Sequence, residues 1–218
     1  MSTAHDTHPE AGAVAVQFEN LAKQDHASRV AMWLFLASEL LLFAGLFALY
    51  TAYRTQHSAE FRLAFHHNNL ILGSLNTVIL IVSSFTIAWS IHMVRHGRRR
   101  AALWALAITL FCGVLFLVFK GIEYGQHFAE GIYPGQHYRF EELPQFGARL
   151  FFTLYFFMTG LHAIHMIVGL IVVGWLTAHV VKHKINRERH LHLEMGALYW
   201  HLVDSIWIFL WPMFYLAG

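Results

Sequence analysis

The sequence predicts an all-α membrane protein, a polytopic bundle of five transmembrane helices. Hydrophobic residues make up 57% of the 218 residues and charged residues only 13%, whereas a soluble domain carries roughly 25% charge. Five apolar runs reach the ~20 residues that a helix needs to cross the hydrocarbon core. The runs lack the alternation of apolar and polar residues that is typical of membrane β-strands. Together these observations favour helical spans.

The five predicted spans form one membrane domain, residues 29–218. They cover approximately residues 29–52, 70–94, 101–122, 150–181 and 197–217. The stretches between them contain turn-forming or charged residues. The fourth run is longer than a perpendicular crossing requires, so we expect that helix to tilt or to extend past the membrane surface.

The first 28 residues are predicted to form an N-terminal tail outside the membrane. They are polar or weakly apolar, and we see in them no hydrophobic core of a cleavable signal peptide. We expect the start of the tail to be disordered. The part from Glu10 to Asp25 is a candidate for a short helix at the membrane surface.

The basic residues predict the orientation of the spans. The connections 95–100 and 182–194 each contain four Lys or Arg residues, whereas 54–69 and 123–149 each contain two. Cytoplasmic loops of membrane proteins carry the excess of Lys and Arg. We therefore expect the second and fourth connections to face the cytoplasm, with a cytoplasmic N-terminus and a C-terminus outside, in the periplasm.

Glu39 lies inside the first apolar run, with only uncharged neighbours for seven residues on either side. A charged group within the hydrocarbon region is costly, so such residues usually face the bundle or a wet cavity and mark a functional site. Two interpretations remain open. Glu39 is either a protonated structural group hydrogen-bonded to a neighbouring helix, or a group that exchanges protons or holds a lipid.

Two histidines share one face of the fourth span. His162 and His165 are three residues apart, within the segment FFTLYFFMTGLHAIHMIVGL, and this spacing brings side chains together on a helix. They could bind a metal with ligands from other spans, but the pattern favours interhelical hydrogen bonding. We expect Gly160 and Gly169 to permit close helix contacts.

Further polar residues lie near the ends of the third and fifth spans. Lys120 and Glu123 are three residues apart and could form a local ion pair near the outer surface. His201 and Asp204 have the same spacing and could pair with each other, which would lower the cost of burying them.

Other function classes fit the sequence less well. The formal net charge of +2 is too small to indicate a nucleic-acid partner. The 17 histidines raise the alternative of a histidine-rich membrane metalloenzyme, but the predicted topology places the histidines of the first and fourth connections on opposite sides of the membrane. A small transporter is a further alternative, although we see no internal repeat of the kind transporters often have.

Several segments together resemble subunit III of the haem–copper oxidases. They are WLFLASELLLFAGLF, LNTVILIVSSFTIAW, GIEY, FFTLYFFMTGLHAIHMIVGL and LYWHLVDSIWIFLWPMFYL, in that family's order and over nearly the whole chain after residue 28. Longer members have seven spans, and this chain resembles the shorter bacterial form, which lacks the first two. One departure is HLVDSIW, where the family more often has two valines before the tryptophan.

The resemblance implies a non-catalytic accessory subunit in a bacterial inner membrane. In this family haem and copper are held by other subunits, so we expect this chain to bind neither. The expected partners are subunit I above all, then subunit II and other oxidase or supercomplex subunits. The implied role is to stabilise subunit I, which reduces O₂ and pumps protons, and to sustain proton uptake.

The resemblance also implies two lipid-related positions. Glu39 aligns with the family's buried carboxylate, which lies near bound phospholipid and a subunit contact. Lys182 falls where the family supplies a basic contact to a lipid headgroup. The resemblance further implies interhelical hydrogen bonds at the matching family positions, which are His162, His165, Glu123, His201 and Asp204. The resemblance favours the cytochrome c oxidase branch, and subunit III of a quinol oxidase or of a relative associated with nitric oxide reductase is the alternative.

Overall fold

The computed structural model describes residues 20–135, 138–140, 142–185 and 190–216. Within these ranges the chain forms helices and no strands, so the predicted all-α class is confirmed. The helices are α1 (Leu21–Gln56), α2 (Ser58–Phe65), α3 (Leu70–Arg95), α4 (Arg99–Ala129), α5 (Phe146–Val181) and α6 (Leu191–Tyr215). The predicted tail lies mostly outside the described residues, as does most of the candidate surface helix from Glu10 to Asp25.

The chain divides into two compact units, Met1–Glu39 and Leu40–Gly218. The described part of the first unit is the beginning of α1, with large exposed apolar side chains such as Trp33 and Leu34. The second unit contains the rest of α1 and all of α2 to α6. Its core includes the fully buried Trp200, Trp207 and Tyr155.

Four of the described helices are long and apolar enough to cross a membrane: α1, α3, α4 and α5. The fifth predicted span corresponds to α6, which does not meet the same test. The reason lies in its composition, since Trp, Tyr, His and Asp residues lower its mean hydropathy. Large apolar side chains are exposed along the four helices, for example Ile71, Phe111 and Ile171. The chain is an integral membrane protein by these features.

Within the second unit α6 runs antiparallel to α3 along its whole length. Three contacts join the pair from one end to the other: Asn68 Nδ2 donates to Phe214 O at 2.9 Å, Ser83 Oγ lies 3.4 Å from Asp204 Oδ2, and Arg95 forms an ion pair with Glu194. The guanidinium of Arg99 donates to the carbonyls of Val180 and Val181. The basic ends of α3 and α4 therefore lie beside the end of α5 and the start of α6.

The bounds of α3 match the prediction closely because local signals set both ends. The Asn69 side chain accepts from the backbone N–H groups of Ile71 and Leu72 at 3.1 and 3.2 Å and caps the first turn. At the other end Gly97 has a φ of +72°, and Arg98 N–H donates to Met93 O at 2.9 Å. This is the Schellman arrangement, in which glycine ends a helix in the left-handed region.

Two elements differ from the prediction. The helix that contains the third predicted span, 101–122, is longer than that span, since α4 runs from Arg99 to Ala129, and its Lys120, Glu123 and His127 are buried within the chain on one helix face. The connection 54–69 contains the short helix α2. Its Phe61 is 3% exposed and packs edge-on against the ring of Phe151, which explains why this segment is ordered.

Close helix packing depends on small residues around Trp200. A Cβ atom at Gly169 would lie 3.0 Å from Trp200 Cε3, and one at Gly113 would lie 2.8 Å from Trp200 Cη2. The close contact expected at Gly169 is thus confirmed. The prediction of a close contact at Gly160 is wrong, since the nearest atom within 4 Å of a Cβ at this position would be Tyr124 Oη, at 3.8 Å.

A buried polar cluster in the helical bundle

Lys120 and Glu123 form an ion pair inside the bundle. Lys120 Nζ lies 3.0 Å from Glu123 Oε2, and the two side chains are 3% and 2% exposed. The sequence predicts this pairing, near the outer surface of the membrane. Neither side chain reaches solvent, so this is a buried ion pair whose stability depends on the groups around it.

Two tyrosines complete the hydrogen bonds of the pair. Lys120 Nζ donates to Tyr155 Oη at 2.8 Å and to Tyr215 Oη at 2.6 Å. Tyr215 Oη–H donates in turn to Glu123 Oε1 at 2.5 Å. All three ammonium hydrogens therefore have acceptors, and both carboxylate oxygens have donors. Since Tyr155 lies on α5 and Tyr215 on α6, this Lys120 cluster joins three helices.

Aromatic rings enclose the ammonium group. Lys120 Nζ lies 4.6 Å from the ring centroid of Tyr155, 5.2 Å from that of Trp207, 5.3 Å from that of Tyr215 and 5.6 Å from that of Tyr124. Such distances allow cation–π attraction, which is stronger where water is excluded. The rings thus offset part of the cost of removing the ammonium group from water.

The arrangement is suited to holding helices together. A buried ion pair gains little over a well-packed apolar pair, but loss of one partner leaves an uncompensated charge at a cost of about 3–5 kcal/mol. In the Lys120 cluster each ammonium hydrogen has an acceptor and each carboxylate oxygen has a donor, so removal of either charged residue would leave the other without its partner. It fixes how α4, α5 and α6 pack in this unit.

We expect Tyr215→Phe to lower the free energy of unfolding by about 1.5–3 kcal/mol, because it removes a hydroxyl bonded to both charged groups. Chemical unfolding of the purified protein in detergent measures the change. The matched control is Tyr133→Phe, since Tyr133 is 37% exposed. Equal stability of the two variants would contradict a role of the Tyr215 hydroxyl in the cluster.

His162 and His165 lie on the same face of α5, but their surroundings differ. His162 is 0% exposed, and neither ring nitrogen has a hydrogen-bond partner among the described residues. Its ring contacts Phe116 of α4 and Trp207 of α6, with centroids 5.6 and 5.3 Å away. His162 therefore contacts neighbouring helices through its ring and not through the expected hydrogen bonds.

His165 forms a local hydrogen bond and a contact with α6. Its Nδ1 lies 2.8 Å from the carbonyl oxygen of Leu161, one turn earlier in α5. Its own carbonyl accepts from the hydroxyl of Tyr199 at 3.2 Å. Within the described residues no group of three His, Cys, Asp or Glu side chains is close enough to hold a metal. The described residues therefore supply no set of metal ligands in support of the metalloenzyme alternative.

The sequence suggests that His201 and Asp204 could pair with each other, but in the structure each contacts a serine of α3 instead. His201 Nδ1 lies 2.7 Å from Ser84 Oγ, and Asp204 Oδ2 lies 3.4 Å from Ser83 Oγ. Both serines are on α3, so each residue makes a contact between α3 and α6.

The family model described as cytochrome c oxidase subunit III matches residues 15–218, nearly the whole chain. The chain belongs to the cytochrome c oxidase subunit III family. The buried Lys120 cluster, the α3–α6 contacts and the histidine pair thus lie within the subunit III fold.

Individual relatives are similar at moderate identity. Cytochrome c oxidase subunit 3 of Podospora anserina is 33% identical over 69% of this chain and 51% of its own length. The Prototheca wickerhamii protein of the same name is 31% identical over 66% of this chain and 49% of its length. The Salmo salar protein is 27% identical over 87% of this chain and 69% of its length. The chain spans about half the length of the first two relatives.

The two lipid-related positions of the subunit III resemblance lie at the surface of this chain. Glu39, in α1, is partly exposed rather than fully buried within the chain. Lys182 is exposed and lies directly after α5, where its backbone N–H donates to Ala178 O at 3.0 Å. Both side chains can therefore be reached from outside the chain.

Sequence reasoning missed the tyrosines of the Lys120 cluster. Tyr155 and Tyr215 look like ordinary aromatic packing residues, since nothing near them in sequence is charged. The available signal was on α4, where Lys120, Glu123 and His127 recur at helical spacing within an apolar run. That recurrence predicts a polar stripe on one face, and such a stripe needs partners from other helices.

Proposed function

We propose that this chain is a non-catalytic accessory subunit of a proton-pumping cytochrome c oxidase. The observation that carries the proposal is the subunit III family match over residues 15–218. The proposed partners are subunit I, subunit II and further oxidase or supercomplex subunits, which hold the haem and copper. The proposed location is a bacterial inner membrane. The role is to stabilise subunit I and to sustain its proton uptake.

The physical basis of this role is a rigid bundle with a large apolar surface. The Lys120 cluster joins three helices without exposing a charge. Around it, exposed side chains such as Trp104, Phe111 and Ile171 offer apolar area to lipid or to another subunit. Within the bilayer, contact with subunit I would stabilise both chains through van der Waals packing and interhelical hydrogen bonds, since this surface faces lipid and not water.

Two surface residues have proposed contacts outside the chain. The Glu39 carboxyl would lie near a phospholipid or against the neighbouring subunit, and Lys182 would contact an anionic lipid headgroup. In support, both are accessible from outside this chain, and cationic groups next to the membrane attract anionic lipids. The interhelical contacts of Glu123, His201 and Asp204 would keep the bundle in the shape that subunit I requires.

Comparison of oxidase complexes with and without this chain tests the role. The complex lacking the chain should reduce O₂ at first at a similar rate, because the redox centres lie in other subunits. It should then lose activity faster during turnover and take up protons more slowly. An immediate loss of the haem signal, or identical lifetimes of both complexes, would contradict the proposal.

We also propose that α6 is a fifth membrane crossing. At 1.5 Å per residue its 25 residues extend about 37 Å, which exceeds a hydrocarbon core of about 30 Å. The contacts of α6 with α3 support this fifth crossing, because they extend along the length of α3, which is itself one of the four apolar helices. The Lys and Arg counts then favour a cytoplasmic N-terminus and a C-terminus outside.

Reporter fusions at the C-terminus test this topology. We expect alkaline phosphatase fused after residue 218 to be active, since it folds outside the cytoplasm, and a green fluorescent protein fusion to be dark. A control fusion within the connection after Arg98 should show the opposite pattern. A fluorescent C-terminal fusion without phosphatase activity would contradict the fifth crossing or the orientation.

A further inference from the structure

A cavity of about 340 Å³ lies between α3 and α6. Its polar lining includes Ser84, His201 and Asp204. It is separate from the Lys120 cluster except at Trp207, whose ring borders both. The volume falls within the range of about 300–1,000 Å³ that is typical of small-molecule sites.

Asp204 supplies an unused hydrogen-bond acceptor at this cavity. The residue is 4% exposed, and its Oδ1 has no partner among the described residues. Ser83 Oγ lies 2.8 Å from Leu80 O but 3.4 Å from Asp204 Oδ2. Ser83 Oγ accepts from Trp200 Nε1 at 3.1 Å. Its one hydrogen can be donated to Leu80 O or to Asp204 Oδ2, so neither arrangement supplies a donor to Oδ1.

It follows that the ionised Asp204 carboxylate has one oxygen, Oδ1, that accepts no hydrogen bond within the described residues. An ionised carboxylate has only acceptor oxygens, and a carboxyl protonated on Oδ2 keeps Oδ1 as its carbonyl oxygen. A buried acceptor without a donor is unfavourable, so native proteins usually satisfy such groups. The missing partner is a donor that enters the cavity.

The mouth of the cavity faces the apolar surface of the bundle. Three of its lining residues, Ile81, Phe85 and Ile208, are 54%, 63% and 50% exposed. Ser84 and Asp204 lie near the middle of their helices, Leu70–Arg95 and Leu191–Tyr215. A ligand at this depth arrives from the hydrocarbon phase and needs an apolar body as well as a donor.

We propose that the cavity binds a hydroxyl-bearing amphiphile from the bilayer. Its hydroxyl donates to Asp204 Oδ1, and its apolar body lies against Ile81, Phe85 and Ile208. The hydroxyl could belong to a phenolic ring or to a glyceride, since both offer the same donor. The inference stands apart from the accessory role, because it rests on α3 and α6 alone.

Photolabelling of the intact complex in phospholipid nanodiscs tests this site. The probe is 4-heptylphenol with a diazirine on its alkyl chain, and the matched probe is its methyl ether, which cannot donate. We expect the phenol to label α3 and α6 at the cavity mouth, and the ether to label them about tenfold less, the effect of one hydrogen bond to a buried acceptor. Asp204→Val should remove the difference between the probes.

A second variant keeps the test decisive if Asp204→Val does not assemble. Ile208→Trp fills the mouth without touching a polar group and should abolish labelling, whereas Ile171→Trp, on an exposed position of α5, should leave it unchanged. If unlabelled dioleoylglycerol competes with the probe, the natural ligand is a glyceride. If unlabelled 4-heptylphenol competes and dioleoylglycerol does not, the ligand carries a phenolic ring. Equal labelling by phenol and ether, labelling that survives Ile208→Trp, or a complex that is not labelled at the cavity would overturn the proposal.

Discussion

Lys120→Met is expected to destabilise the protein by about 3–5 kcal/mol, because it leaves the Glu123 carboxylate buried without a cation. Lys120 Nζ is the centre of the cluster, with bonds to Glu123, Tyr155 and Tyr215. Its loss removes the link between α4 and the two tyrosines at once. The measurement is the unfolding midpoint of the purified protein in detergent, together with its yield from membranes.

Two further variants show whether the effect comes from the buried charge. The double variant Lys120→Met with Glu123→Gln has no uncompensated charge, so we expect it to recover most of the stability. Lys182→Met removes a cation of the same type from an exposed position and should change stability by less than about 0.5 kcal/mol. A double variant as unstable as Lys120→Met would contradict the ion-pair explanation.

Gly169→Leu is expected to disrupt the packing of α5 against α6. Even a Cβ atom at this position would lie 3.0 Å from the Trp200 ring, and Trp200 is fully buried. Inserting a larger side chain into a well-packed core typically costs about 1–3 kcal/mol. Thermal unfolding and the emission of the buried tryptophan measure the change.

Gly174→Leu is the matched control on the same helix. A Cβ at Gly174 meets nothing within 4 Å, and leucine is a better helix former than glycine. This variant should therefore be as stable as the original protein or slightly more stable. Similar losses of stability at Gly169 and Gly174 would mean that contact with Trp200 does not explain the requirement for glycine.

The sequence predicts the helices well where local chemistry sets their ends. Asn69 and Gly97 are a cap and a left-handed residue, and the predicted span 70–94 agrees with α3 (Leu70–Arg95). For α4 the sequence indicates the apolar span 101–122 but not the burial of Lys120 and Glu123 within the chain. Their burial depends on tertiary contacts, which hydropathy does not contain.

The candidate site was predictable only in part for the same reason. The spacing of Lys120 and Glu123 indicates a pair on one helix face, and the structure contains that pair. Its other partners come from residues 35 and 95 positions beyond Lys120 in the chain. Nothing in the sequence around Tyr155 or Tyr215 indicates that distance in space, and the cavity beside Asp204 likewise exists only when α3 and α6 pack together.

The central claim is that this chain belongs to an oxidase whose redox centres lie in other subunits. Native mass spectrometry of the complex purified through a tag on this chain, combined with haem spectra, tests it most directly. We expect one copy of the chain in an assembly that contains haem and copper, and release of the chain without metal when the complex is dissociated. A chain that purifies without any haem-bearing partner, or that keeps a tightly bound metal after dissociation, would contradict the account.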